Sequence, residues 1–256
     1  MNAFEHPIEI SESAGVRHLH FGSDWVQGAM RIRRPYALEL AYTREMMACL
    51  LLRHAANPNW PRRALLIGLG AGSLAKFIHR NLPSTRMTLV EIDARIVPMA
   101  QQYFKLPIDP QRMKIVIADG SEFISQARGR YDAIFVDGFS AEGRAGALDT
   151  EDFYLSCRDR LSQEGLMICN LLGRSRGFQA SALRIRKAFE KRSVVFPSLD
   201  SGNAIAFAAT GEPVDISLDE MRDQAKLLKA ATGLDLAATI SRLEQSGSLR
   251  GNHLLL

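Results

Sequence analysis

Residues 64–73 read ALLIGLGAGS, a short aliphatic run that leads into three glycines separated by single residues. The run has the length and composition of a buried strand, and a segment with helical spacing begins at Ser73. Glycines at such a junction allow a tight turn, and they let a ligand approach the backbone beside the start of a helix. The stretch therefore predicts a strand, a ligand-binding loop over Gly68, Gly70 and Gly72, and a helix.

From this stretch onward strands alternate with helices as far as residue 208, which is the pattern of a parallel sheet with helices on both faces. Seven strands are predicted, at residues 64–68, 87–92, 114–118, 133–137, 165–171, 193–196 and 204–208. The intervening helices are predicted at residues 73–81, 96–103, 122–127, 151–161 and 179–190. The predicted fold class is α/β, with a Rossmann-like, mostly parallel seven-stranded sheet.

Both flanks of this region have a different pattern. Residues 1–35 predict a small β segment with strands at 8–13, 16–21 and 26–33, and a helix is predicted at 38–53. Residues 36–211 make up the predicted catalytic domain. The tail, residues 212–256, is predicted to be helical and to pack on that domain, and its first helix begins with a capping box of Ser217 and Glu220.

Composition excludes several classes of protein. The 256 residues are 46% apolar and 23% charged, which is ordinary for a globular protein and excludes a disordered chain. No apolar run approaches the roughly 20 residues that span a bilayer, and Glu5, His6 and Glu9 stand where a signal peptide is apolar. We therefore expect a cytoplasmic protein without a membrane partner.

Charge and cysteine content exclude further kinds of partner and site. The net charge of +4 is spread over basic residues without an aromatic-rich platform for single strands, so we expect no nucleic-acid partner. Cys49, Cys157 and Cys169 form no C-x-x-C pair. Neither a disulfide framework nor a metal site is therefore expected.

Acidic residues follow the next two predicted strands. Glu91 precedes Ile92 at the end of the second strand, where a carboxylate can accept two ribose hydroxyls. Asp119 and Gly120 follow the third strand, where an acid can accept an adenine amino group. A nicotinamide enzyme, whose fingerprint has its third small residue at the position of Ser73, is a less favoured alternative. The other alternative is that both acids only cap the helices that follow.

Asp137 follows the fourth strand, and Gly138 comes directly after it. In open α/β sheets reacting groups lie outside the carboxyl ends of the strands, so Asp137 is the candidate catalytic residue. The alternative is a loop Asp that caps a turn. Residues 140–149 contain Glu142 and Asp149 and have the length and glycine content of a substrate lid.

In this order the motifs resemble the spermidine synthases, the polyamine aminopropyltransferases that share the fold of class I methyltransferases. The resemblance extends from residue 8 to residue 208. Its most specific segments are 68–72, 90–93, 102–104 with Asp109 and Arg112, 118–120, 131–132, 136–137, and 152–154 with Leu161 and Gly165. Upstream, Gln27 is similar to the glutamine that ends the family's N-terminal strands, and Tyr42, Glu45 and Met46 are similar to residues of its first helix.

The resemblance implies a reaction and a set of site residues. An aminopropyl group would pass from decarboxylated S-adenosylmethionine to a small-molecule amine such as putrescine, with release of methylthioadenosine and with Asp137 as the base. The residues implied to bind this cofactor are Gln27, Gly68, Gly70, Gly72, Glu91, Ile92, Asp119 and Gly120. Those implied to bind the amine are Tyr42, Asp137 and Ser140. The family's oligomers imply a homodimer.

Three positions depart from the family's pattern. Ala71 and Ser140 stand where the family usually has acids, and Cys49 stands where its helix usually has a His. All three positions would contact the aminopropyl group or the polyamine. Loss of the acid at Ala71 favours intact S-adenosylmethionine as the cofactor, so an S-adenosylmethionine-dependent methyltransferase is the alternative enzyme. A catalytically inactive cofactor-binding relative is a third alternative, against which the presence of Asp137 argues.

Overall fold

The computed structural model describes residues 6–23, 25–53, 57–140, 143–172, 177–199, 202–247 and 249–256 of the chain. The strands, in chain order, are β1 (Ile8–Ser13), β2 (Val16–Phe21), β3 (Gly28–Arg31), β4 (Arg63–Ile67), β5 (Arg86–Glu91), β6 (Met113–Ile117), β7 (Tyr131–Val136), β8 (Leu161–Leu172), β9 (Ser193–Pro197), β10 (Asn203–Ala209), β11 (Asp215–Ser217) and β12 (His253–Leu255). The helices are α1 (Ala41–Met46), α2 (Leu50–Arg53), α3 (Ser73–Asn81), α4 (Ile96–Phe104), α5 (Gly120–Gln126), α6 (Glu151–Asp159), α7 (Gly177–Ala188), α8 (Leu218–Thr232) and α9 (Ala237–Gln245).

The central sheet has seven strands in the order β6-β5-β4-β7-β8-β10-β9. Strands β4 to β8 are parallel, and β10 runs antiparallel to both of its neighbours. The order reverses at β4, which pairs with β5 on one side and β7 on the other. This confirms the predicted mostly parallel sheet, and it places the glycine loop at the switch point where open α/β sheets bind ligands.

Both faces of the sheet are buried because apolar residues of the central strands point to each face. Leu66 and Phe135 lie in one hydrophobic core, while Leu65 and Ile134 lie in a second core on the opposite face. Each predicted strand corresponds to an observed one. The largest difference is in β8, which begins at Leu161 rather than at residue 165 because Leu161 already pairs with Tyr131 across a bulge.

The N-terminal strands form a separate antiparallel sheet in the order β1-β2-β3. Leu19 and Met30 of this sheet are buried together with Ala71 of the glycine loop and Phe104 of α4. The predicted β segment therefore exists, and it packs on the loop at the carboxyl end of β4.

The region between this small sheet and β4 is less regular than predicted. The helix expected at residues 38–53 begins at Ala41 and is interrupted by a 3₁₀ turn at Met47–Cys49 before α2. The capping box of Ser217 and Glu220 at the start of α8 is confirmed. The tail also contains the pair β11–β12, which the sequence did not predict. Among the described residues, no helix is both long and apolar enough to cross a membrane.

Candidate active site

The glycine loop after β4 touches the end of β7. A side chain at Gly68, which has a φ of 93°, would overlap the carbonyl oxygen of Asp137. Asp137 N–H also donates to the carbonyl oxygen of Ile67 at 2.9 Å. Only glycine adopts this backbone conformation readily and leaves room for the neighbouring strand. Gly68 therefore brings the loop and the candidate catalytic residue together.

Glu91, at the end of β5, holds the loop from the other side. Its Oε2 accepts from Leu69 N–H at 2.9 Å, and its Oε1 accepts from Asp93 N–H at 3.0 Å. Burial raises the pKa of Glu91, and these backbone hydrogen bonds oppose that rise. A carboxylate offers about four acceptor positions, and Ile92 N–H is a third backbone donor to Glu91, so the side chain retains one acceptor position. Glu91 caps no helix, because α4 begins only after Arg95.

Asp119 caps the N-terminus of α5, which is the structural role that the alternative interpretation gave it. Its Oδ1 accepts from Ser121 N–H at 2.7 Å and from Glu122 N–H at 3.0 Å, at the start of α5. Its Oδ2 forms no hydrogen bond with the described residues, so this oxygen keeps its capacity to accept one. Ile92 beside Glu91 is 48% exposed and offers apolar surface to a planar ring at the same end of the sheet.

Asp137 comes directly after β7, on the face that carries Phe135. Phe135 is opposite Ile168 of β8, and because side chains alternate along strands, Asp137 lies beside Asn170 two positions further on. Nδ2 of Asn170 donates to Oδ1 of Asp137 at 2.8 Å. The register of β7 and β8 thus places an amide donor against the carboxylate.

Two further side chains complete this network. Nδ2 of Asn203 on β10 donates to Oδ1 of Asn170 at 2.9 Å, and both asparagines are buried. Tyr42 of α1 donates its hydroxyl to the carboxylate of Asp137. Residues from α1, β8 and β10 therefore orient one carboxylate at the carboxyl end of the sheet.

The environment makes Asp137 a stronger base than an ordinary Asp. The residue keeps some exposure at the open end of the site, yet desolvation of its carboxyl group raises its pKa to about 6. The hydrogen bonds from Asn170 and Tyr42 stabilise the ionised form and oppose this rise. Burial, and then the charge of Asp137, raise the pKa of Tyr42, so the phenol stays neutral and acts as a donor.

Gln27 and β3 cover the glycine loop. A Cβ on Gly70 would lie 3.4 Å from the carbonyl oxygen of Gln27, and a Cβ on Gly28 would lie 2.6 Å from Cβ of Ala71. The predicted neighbours Gln27 and Gly70 are therefore adjacent. Ala71 is enclosed between the loop and the small sheet, with 3% of its surface exposed.

The three positions that depart from the family's pattern differ in exposure. Cys49 is fully buried in the core under the sheet, and burial raises the pKa of its thiol. Ala71 is also buried, whereas Ser140 is exposed. Ser140 is the exposed residue of the three, and the expectation that all three positions contact the aminopropyl group or the polyamine stays a prediction.

The predicted lid is partly described. Glu142 lies outside the described residues, and Ser140 N–H donates to the carbonyl oxygen of Arg144 at 2.9 Å. The carboxylate of Asp149 forms an ion pair with Arg184 and accepts a hydrogen bond from Tyr154 at 2.8 Å. Asp149 is therefore committed to α6 and α7.

Sequence reasoning did not identify Asn170, Asn203 or Trp25 as site residues. Asn170 interrupts the apolar run of β8 two positions before its end, and Asn203 begins the otherwise apolar β10. A buried polar residue near a strand end was the available signal. Trp25 is 47% exposed, and a Cβ on Gly143 of the lid would overlap its ring. A large exposed indole next to Gln27 was the corresponding signal for this residue.

A model of the spermine/spermidine synthase domain matches residues 39–178. The polyamine aminopropyltransferase of Neisseria meningitidis is 35% identical over 246 residues, which cover 96% of this chain and 92% of that protein. The chain belongs to the spermine/spermidine synthase family. It is accordingly a transferase.

Two solved structures, of a probable spermidine synthase and of a methyltransferase-like protein, have the same fold as this family member. A probable spermidine synthase from Corynebacterium glutamicum has a TM-score of 0.71 at 20% identity, over 89% of this chain and 91% of that chain. Human methyltransferase-like protein 13, in complex with SAH, has a TM-score of 0.66 at 28% identity, over 76% of this chain and 93% of that chain. Spermine/spermidine synthases and methyltransferases thus share the sheet described above.

Proposed function

We propose that this spermine/spermidine synthase family member transfers an aminopropyl group from decarboxylated S-adenosylmethionine to a primary amine such as putrescine. The observation that carries the proposal is the placement of Asp137 beside the glycine loop, with its carboxylate held by Asn170 and Tyr42. The relative from Neisseria meningitidis, named polyamine aminopropyltransferase, supports the same reaction.

The donor end of the site fits an adenosine-containing ligand. Glu91 retains an acceptor position for a ribose hydroxyl, and Asp119 retains one oxygen for the adenine amino group. The loop from Gly68 to Gly72 presents backbone without side chains that block approach, and Gln27 covers it. When bound, the donor supplies a carbon that its neighbouring sulfonium makes electrophilic.

Asp137 prepares the amine that attacks this carbon. An alkylamine has a pKa of about 10 and is protonated at neutral pH, so its lone pair is unavailable. An ionised Asp137 attracts the ammonium group and accepts one proton from it. The amine nitrogen then bonds to the carbon, the carbon–sulfur bond breaks, and the sulfur keeps the electron pair as neutral methylthioadenosine leaves.

Burial reduces the energetic cost of that proton transfer. With an ordinary pKa near 4, an Asp differs from the amine by roughly six units, whereas a pKa of about 6 leaves a difference of roughly four. The same desolvation disfavours the charged ammonium and lowers the pKa of the amine. The two groups are therefore brought closer in proton affinity by the environment that encloses them.

The test is Asp137→Asn, which keeps the shape of the side chain and removes the base. We expect kcat to fall by about 100- to 10,000-fold, the usual contribution of a general base. Calorimetric titration should show methylthioadenosine binding nearly unchanged. Because burial raises the pKa of Asp137 in the folded state, ionising it costs stability as the pH rises from about 4 to about 6, and the full cost remains at pH 8. The variant should therefore be at least as stable as the parent at pH 8. Retained turnover would show that Asp137 is not the base.

A methyltransferase is the second candidate, and Ala71 is the observation that favours it. Ala71 offers no carboxylate to the amino group of a decarboxylated donor, and no negative charge that repels the carboxylate of intact S-adenosylmethionine. Separate calorimetric titrations with the two donors distinguish the candidates. We expect tighter binding of the decarboxylated form, and tighter binding of the intact form would make the protein a methyltransferase on this fold.

The cytoplasm is the compartment that we propose for this reaction. Cys49, Cys157 and Cys169 are free thiols buried in the fold. Free thiols persist in reducing compartments, whereas oxidising compartments favour disulfides.

A further inference from the structure

A basic cleft lies at the amino ends of β4, β5, β6 and β7, at the opposite end of the sheet from Asp137. Its volume is about 620 Å³, within the range of small-molecule sites. Five basic residues line it: Arg62, Arg63, Arg86, Arg112 and Lys114. Of the described residues that line the cleft, none is acidic.

The strand register explains why these charges are close together. Arg63 pairs with Arg86 across β4 and β5, and Lys114 of β6 pairs with Thr88, two positions after Arg86. Paired residues point to the same face, and alternate residues of a strand share a face, so all three basic side chains leave the sheet on one side. Neighbouring strands are about 4.8 Å apart, which leaves these like charges adjacent.

Three of the five basic groups are uncommitted. Arg112 donates to the carbonyl oxygens of His79, Leu82 and Thr85, and Arg63 stacks on the ring of Tyr131 with 5.6 Å to its centroid. The side chains of Arg62, Arg86 and Lys114 are exposed and form no hydrogen bond or ion pair with the described residues.

The carboxylate beside the cleft is already occupied. Oδ2 of Asp132 accepts from the backbone N–H groups of Arg62 and Arg63 at 2.9 and 3.0 Å. Its Oδ1 accepts from the hydroxyl of Ser162 at 2.7 Å. Asp132 therefore fixes the backbone at the start of β4, and it leaves the neighbouring guanidinium groups for an external anion.

We propose that this cleft binds a compact anion that carries two or more linked phosphate groups. Arginine presents a planar array of donors that matches phosphate oxygens, and lysine binds phosphate as a point charge. Several adjacent positive charges in a concave site attract most strongly a ligand with several negative charges in a small volume. Linked phosphates provide such charges. Tyr131 is buried and Arg63 stacks on its ring, so the described residues that line the cleft offer no free aromatic ring on which the bases of a nucleic acid would stack.

The test uses inorganic tripolyphosphate, titrated calorimetrically into the full chain in the presence of saturating methylthioadenosine. The variant is Arg86→Gln with Lys114→Gln, which removes two exposed charges from the cleft and relieves repulsion between them. The control is Arg186→Gln with Lys226→Gln, which makes the same change in net charge on α7 and α8. We expect the cleft variant to bind at least about tenfold more weakly than the parent, because two charge-assisted contacts are lost, and the control to bind like the parent. Binding should also weaken as salt is raised.

Several outcomes would overturn the proposal. Equal weakening in both variants would mean that net charge, not the cleft, attracts the anion. Tripolyphosphate binding that is seen without methylthioadenosine and is lost at saturating methylthioadenosine would place the anion in the active site. Tighter binding of a single-stranded oligonucleotide than of tripolyphosphate, lost in the cleft variant, would make the surface a nucleic-acid site. A parallel titration with ATP tests the source of the phosphates: binding by either ligand that depends on Arg86 and Lys114 supports the proposal.

Discussion

Asp137 has a pKa that is set by competition between burial and hydrogen bonding. Desolvation raises it to about 6, while Asn170 and Tyr42 stabilise the ionised form and limit the rise. The base must be ionised before it can accept a proton. The activity of this family member should therefore increase with pH through about pH 6 and decrease below it.

Replacing Asn170 tests whether its amide sets that pH dependence. In Asn170→Ala the carboxylate loses a donor to its charged form, so the pKa of Asp137 rises further and the acid limb of kcat/KM moves to higher pH. At pH 6 we expect kcat/KM to fall about three- to tenfold, with a smaller loss at pH 8. The pH profile of each variant is the measurement.

Asn203→Ala is the matched control, because Asn203 donates to Asn170 and makes no hydrogen bond with Asp137. Its acid limb should stay closer to that of the parent. If Asn170→Ala lowered kcat/KM equally at every pH, the amide would support the strands and would not tune the base.

Single residues were the hardest feature to predict. Glu91, Asp119 and Asp137 follow strands, so their positions at one edge of the sheet could be inferred from the strand pattern alone. Asn170 meets Asp137 through the parallel register of β7 and β8, and Asn203 meets Asn170 through the antiparallel pairing of β8 and β10. Each of these two contacts joins residues 33 positions apart. No local sequence pattern encodes such a pairing.

At the scale of elements, β3 packs closely against the glycine loop where Gly28 meets Ala71. Gly28→Ala would place a methyl group 2.6 Å from Cβ of Ala71 and 3.0 Å from its backbone nitrogen. The loop or the strand must then move. We expect the free energy of unfolding in urea to fall by about 1–3 kcal/mol, and methylthioadenosine to bind more weakly.

Gly129→Ala is the control for this prediction. Its methyl group would meet the end of the Arg63 side chain at 2.5 Å, and a flexible exposed arginine can swing away. Its stability should change by less than about 0.5 kcal/mol. Similar losses of unfolding free energy in both variants would mean that the contact between β3 and the glycine loop matters no more for stability than the exposed contact at Gly129.

Elements with continuous apolar runs were predicted well, and short elements were not. The strands from β4 to β10 have enough apolar residues to identify them without knowledge of their partners. β11 and β12 have three residues each, lie far apart in the chain and pair only once the tail has folded. The 3₁₀ turn between α1 and α2 has apolar residues on all sides, because Met47, Ala48 and Cys49 are each buried.

At the scale of the whole molecule, we predict a homodimer formed through the N-terminal sheet. Val26 and Ile32, which flank β3, are 42% and 40% exposed, and the small sheet has open edges. Light scattering at micromolar concentration should give the mass of two chains. Val26→Asp with Ile32→Asp should give the mass of one.

The control places the same charges on exposed leucines elsewhere. Leu183→Asp with Leu227→Asp changes residues that are 67% and 64% exposed on α7 and α8. This variant should keep the parent's mass. A monomeric parent would contradict the prediction, and dissociation of the control alone would place the interface on the helices.

The network around Asp137 also has a consequence for the order in which the chain is made. The donor end of the site is contiguous, because the glycine loop, Glu91 and Asp119 all lie within residues 68–119. Asp137, in contrast, is oriented by Asn170, which is held in turn by Asn203. The ribosome adds Asn203 66 residues after Asp137. A growing chain therefore completes the residues for adenosine recognition well before it can orient its base. The residues proposed for nucleoside binding and the residues that orient the base are thus made at separate stages of synthesis.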